Sequence, residues 1–166
     1  MAEKNQILID DFEDDNPLFT LGLFSTLPDF KLSYQINRLL GLNLSLEEDP
    51  YTLRNRNYLF FFNLFSFKDP SSTLDWFLIG NQPYKGKTEE DLPPQLSVFE
   101  EETGIKRPLL KKESNINYFF QVYGDSSDVS LAILKKQIKA IKGVQGLVQI
   151  EPSLYKEGQN LYLNKI

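Results

Sequence analysis

Apolar residues along this chain recur at two spacings, every second position and every third or fourth, and the switches between them mark out its elements. After Ile7-Leu8-Ile9 and an acidic stretch, LFTLGLFS at about 18–25 predicts a strand, with Gly22 marking a bulge or a close backbone approach. Leu32, Ile36, Leu39 and Leu40 recur at i, i+4, i+7 and i+8. They predict a helix that opens at Pro28-Asp29 and closes at Gly41, where a left-handed cap belongs. Residues 42–56 read as a connection. Asn57–Phe67 predicts one strand, apolar on both faces, and Thr73–Gly80 returns from a turn at Lys68–Ser72 to complete a hairpin. Residues 81–113, with four prolines and two acidic runs, predict a long charged loop. Asn115–Tyr123 predicts a further strand, 128–142 a helix ended by Gly143, and Val144–Ile150 a last strand before a short tail.

That order, strand, helix, three strands, helix, strand, predicts an α+β fold. It implies an antiparallel-rich sheet of about five strands with two helices on one face, ferredoxin-like in order with an extra strand. A single domain spans 1–166, with an acidic N-terminal segment at 1–16 and the loop or insertion at 81–113. Two helices cover one sheet face, yet the hairpin is apolar on both. Something must therefore cover Phe61, Phe65, Phe77 and Ile79, the candidate interface. The cover could come from residues 81–113, the N-terminal segment, a second subunit or another protein. Cover from within the chain together with a protein–protein surface is the preferred expectation.

Composition removes much chemistry. The 166 residues include no cysteine and no histidine. This excludes disulfides, thiol nucleophiles, Ser-His-Asp sites and imidazole-bound zinc. What remains is carboxylate, lysine, tyrosine or backbone chemistry. The cluster Asp10, Asp11, Glu13, Asp14 and Asp15 lacks calcium-loop spacing: counted from Asp10, the sixth position is Asp15 rather than glycine and the twelfth is Leu21. It reads as a solvated turn. The glycines are scattered and form no phosphate loop. No catalytic residue, metal or cofactor is expected.

Two features bear on binding. Helix 128–142 turns Leu131, Leu134, Ile138 and Ile141 inward and Lys135, Lys136, Lys139 and Lys142 outward. The lysines are either a strip for RNA or an acidic partner, or the polar face that any amphipathic helix needs. The aromatic run Tyr58–Phe67 invites comparison with sheets that stack RNA bases, but its Leu, Ile and Phe neighbours favour core. A net charge of −5 and a pI near 4.8 disfavour generic nucleic-acid binding. The N-terminus has no signal-peptide core and no segment is apolar for long enough to span a membrane, so the default expectation is a cytoplasmic protein.

A family resemblance appears at Asp29-Phe30-Lys31-Leu32 through Asn37-Arg38-Leu39-Leu40-Gly41-Leu42, then at Arg107-Pro108-Leu109 through Ile116-Asn117-Tyr118, and again from Ile141 to Leu161. These stretches resemble the IPExxxVDY family of small Bacteroidetes proteins. Pro108 and Tyr118 stand for the motif's proline and tyrosine, while its acidic residue, valine and aspartate are Leu109, Ile116 and Asn117. The resemblance implies a bacterial cytoplasmic protein and adds no mechanism. The leading expectation is a non-enzymatic module that binds a protein partner or itself. The alternatives are an RNA-associated protein using the lysine strip, and a small-ligand binder or carboxylate-dependent enzyme.

Overall fold

A computed structural model describes residues 16–88 and 107–163. In chain order the described residues form β1 (Phe19–Ser25), α1 (Asp29–Leu40), β2 (Ser45–Leu46), β3 (Tyr51–Asn55), β4 (Tyr58–Phe62), β5 (Leu64–Lys68), β6 (Asp75–Gly80), β7 (Lys85–Thr88), β8 (Tyr118–Tyr123), α2 (Leu131–Lys139) and β9 (Val144–Ile150). The strands make a six-stranded sheet in the order β2-β5-β6-β8-β1-β9 and a three-stranded sheet in the order β3-β4-β7. Every pairing is antiparallel. The fold is α+β, and β8-α2-β9 is a split β-α-β unit with β1 between its strands. The order β9-β1-β8-β6 is ferredoxin-like, and β5 and then β2 are the additional strands at the β6 edge. No helix among the described residues is long and apolar enough to cross a membrane.

Both helices lie on one face of the larger sheet. Leu32 and Ile36 of α1 and Leu134 and Ile138 of α2 are buried with Leu21, Leu23, Leu78 and Phe120. The local signals are those the spacing predicts. Gly41 ends α1 at φ 67° with its N–H on the Asn37 carbonyl, and the Ser130 side chain caps α2 by accepting from Ile133 N. Leu39, predicted to face inward, is instead exposed in the last turn of α1.

The opposite face departs from the sequence reading. Asn57–Phe67 is not one strand. The chain changes sheets at Asn63, so β4 pairs with β3 and β7 while β5 pairs with β2 and β6. The switch lets Phe60 and Phe62 fold over Leu64, Phe77 and Ile79 and close a second core. Three more strands lie in predicted loops, β2 and β3 in 42–56 and β7 in 81–113. In β3, Tyr51 and Leu53 alternate with Thr52 and Arg54; β7 is Lys-Gly-Lys-Thr and has no apolar residue to announce it. The acidic runs at 10–15, 89–91 and 100–102 lie outside the described residues.

The second core is finished by chain with little regular structure. Leu109, Leu110 and Ile116 reach it from one side and Leu161 and Leu163 from the other, all essentially inaccessible to solvent. The C-terminal stretch read as a tail is therefore core. Buried amides hold these segments. Asn81 Nδ2 donates to the Glu113 and Ile116 carbonyls at 2.9 and 3.0 Å, and its Oδ1 accepts from Leu110 N at 3.1 Å. Gln121 Nε2 donates to Leu161 O at 2.6 Å, and Asn160 Nδ2 to Leu109 O at 3.0 Å. Gly22 provides the close approach its position predicts, since a Cβ there would fall 2.7 Å from Ile116 Cδ1.

Two stability effects are expected. Leu161→Ala should cost about 2–5 kcal/mol in urea denaturation, as for other fully buried leucines. Gly22→Ala should cost about 1–3 kcal/mol through overpacking. Adding Ile116→Val, which removes the clashing methyl, should recover part of that loss, so the two changes are not additive.

Candidate binding cleft

The sequence-predicted interface residues do not share a surface. Phe65 is buried on the helix side of the large sheet, whereas Phe77 and Ile79 are buried in the second core. Phe61 is half-buried on the outer face of the small sheet, with Lys87 Nζ 5.4 Å from its ring centre. The cover over Phe77 and Ile79 comes from the chain itself: the small sheet, Leu109 and Leu110, and Leu161 and Leu163. Of the lysine strip, Lys136, Lys139 and Lys142 are exposed, while Lys135 is half-buried and donates to Gln149 Oε1 of β9 at 3.1 Å.

The chain ends and links of both sheets instead surround a cleft of about 560 Å³. Its walls are the β1–α1 link Ser25–Asp29, Asn63 at the sheet switch, Gly80, Gln82 and Tyr84 after β6, and Ser114 with Ile116–Tyr118 ahead of β8. The volume is in the range of small-molecule and side-chain pockets. Hydrogen bonds fix these walls to one another. Asn117 Oδ1 accepts from Ser25 N at 2.8 Å, and Asn117 N donates to Leu23 O at 3.0 Å. The Tyr118 hydroxyl donates to the Leu27 carbonyl. At the start of α1, Asp29 Oδ1 accepts from Phe30 N at 2.7 Å and Oδ2 from Asn63 Nδ2 at 3.0 Å. The helix terminus, the sheet switch and the β1 exit are thus tied together around the opening.

The chemistry of the walls is mostly neutral. Among the described residues, Asp29 is the one formally charged lining residue, and no lysine or arginine joins it. Burial, with a smaller contribution from the Asp29 charge, raises the Tyr118 phenol above its ordinary value of 10.0 and keeps it protonated as a donor. Among the described residues no second carboxylate lines the cleft beside Asp29. Among the described residues no three acidic side chains converge as a metal site. Sequence reasoning could not find this cleft, because Asn63, Gln82 and Asn117 are isolated polar residues at the ends of strands far apart in the chain. Ile116, Asn117 and Tyr118 line it together. Comparison with protein-family models, with curated proteins and with solved structures finds no match for this chain.

The tyrosines predict an alkaline stability limit. Tyr51 is also raised by burial, with its hydroxyl on the Asn160 carbonyl at 2.8 Å. For both groups the folded chain holds the proton more tightly than the unfolded chain. Stability from this source is complete below the ordinary tyrosine value of 10.0 and is lost as pH rises through the raised values. Urea denaturation between about pH 8 and pH 11 should show that decline. Tyr118→Phe should make it shallower and should cost about 1 kcal/mol at neutral pH for the lost hydrogen bond.

Proposed function

We propose that the protein is a non-enzymatic binding module that seats a segment of a protein partner in this cleft. The observation that carries the reading is an exposed aromatic side chain on the rim of the cleft, with two more on the helix that begins at its wall. Tyr84 on its rim is 56% exposed, and Phe30 and Tyr34, on α1 beside Asp29, are 60% and 62% exposed. Phe30 and Tyr34 stand at i and i+4 and share one side of the helix. Solvent-exposed aromatics around a polar opening match the composition of protein interfaces, whose centres are enriched in Tyr, Phe and Trp. The neutral walls with one carboxylate suit an uncharged or basic side chain of the partner. The reading also extends to the family resemblance, which we propose as the chain's relationship; a bacterial cytoplasmic setting belongs to the same proposal.

Gly80 provides a test that leaves the fold in place. Its backbone accepts a side chain, and a Cβ there would meet only Gln82 O at 3.6 Å and Tyr118 Cε1 at 4.0 Å, both at the cleft. Gly80→Leu therefore fills the opening. Tagged full-length protein should recover a nuclease-resistant protein partner from native lysate, and Gly80→Leu and Phe30→Asp should each reduce that recovery by about tenfold or more. Equal recovery by the wild type and both variants would overturn the reading.

A further inference from the structure

The small sheet has an outer face that the cleft does not involve. Its register sets two rows across the three strands, Arg54–Leu59–Lys87 and Thr52–Phe61–Lys85. Because side chains alternate along a strand, all six residues stand on one face. The inner face is fixed independently. Phe60 and Phe62 are buried in the second core, and a Cβ on Gly86 would fall 3.2 Å from Phe60 Cδ1, so Gly86 points inward and its neighbours Lys85 and Lys87 point out. Arg56, in the turn that joins β3 to β4, is exposed beside them.

This face joins exposed cations to a partly open aromatic and aliphatic surface. Arg54, Lys85 and Lys87 are exposed there with no carboxylate among the described residues of the three strands, in a chain of net charge −5. Between the cations, Phe61 and Leu59 are half-buried, so a ring and an aliphatic surface remain open to solvent. Lys87 already lies 5.4 Å from the Phe61 ring. The α2 lysines lack this pairing; their exposed apolar neighbour is Ile133. A local basic surface can bind a polyanion against the sign of the total charge.

We infer that the outer face of β3, β4 and β7 binds single-stranded nucleic acid, with a base stacked on Phe61 and phosphates held by Lys85, Lys87 and Arg56. Aromatic and cationic side chains in alternation match the alternation of base and phosphate in an unpaired strand. Stacking on an aromatic side chain needs an unpaired base, which favours single over paired strands. Binding here is independent of the cleft, so Gly80→Leu should leave it unchanged.

The test is fluorescence anisotropy of the full chain with labelled 12-nucleotide U-only RNA and T-only DNA, at about 50 and 200 mM salt. Both strands should bind if the shared chemistry is base and phosphate; a preference for one identifies the sugar as a further contact. Lys85→Glu with Lys87→Glu should weaken binding about tenfold or more and flatten its salt dependence. Phe61→Thr, which keeps a strand-compatible residue, should weaken it roughly 5- to 150-fold, whereas Phe61→Tyr should retain it. Changing Lys135, Lys136, Lys139 and Lys142 to glutamate should have no such effect. Circular dichroism establishes that each variant is folded. Failure of both oligonucleotides to bind at about 100 µM protein overturns the inference. So does binding indifferent to Phe61→Thr, binding lost with the α2 lysines instead, or equal competition by a 12-residue glutamate peptide, each of which describes a different site or a simple anion sink.

Discussion

The larger sheet is apolar on both sides, and the rest of the structure depends on how its second side is closed. Helices close the first side and satisfy their own backbone groups. The second side is closed partly by irregular chain, whose N–H and C=O groups have no ladder to join. Buried polar backbone groups without partners are costly, so the cover is stable only if side chains supply them. Asn81, Gln121 and Asn160 do this. One amide, Asn81, bonds three backbone groups between 110 and 116, and its own main chain pairs with Leu109 and Asn117. The apolar contacts of Leu109, Leu110, Leu161 and Leu163 rest on that polar framework.

Much of the larger sheet was legible from spacing alone. The α1 face, its Gly41 end, the β5–β6 hairpin and the α2 stripe all follow from periodicity and capping, which are local properties. What escaped was set by long-range geometry. Asn63 looks like a tolerable polar residue within a strand; only the need to fold Phe60 and Phe62 back over Ile79 makes it a switch between sheets. β7 is recognisable only from its partner, since Gly86 exists to clear Phe60. The three amides are unremarkable in sequence, and no pattern in the chain distinguishes Asn81 from the exposed Asn57.

Function was less legible for the same reason. Cleft and basic face are both assembled from residues brought together by the sheet switch. Asn63 follows β4 directly and bonds Asp29 in the cleft wall, while Tyr84 rims the cleft immediately before Lys85 opens the basic face. Net charge does not describe the small sheet, whose described residues carry cations and no carboxylate in a chain of net charge −5. The same aromatic run that supplies core at Phe60 and Phe62 exposes Phe61 on the opposite side, as a strand's alternation requires.

The placement of Leu161 and Leu163 has a consequence for how the protein is made. A ribosome delivers these residues after every strand they cover. Once β8 has emerged, Phe77 and Phe119 await a cover that has not been synthesised, and Ile150 joins them with β9. The nascent sheet thus presents an open apolar face until residues 161–163 are available, when the helix-side core can already assemble. The order of the sequence makes this interval the one in which a chaperone, or a neighbouring nascent chain, has access to the interior.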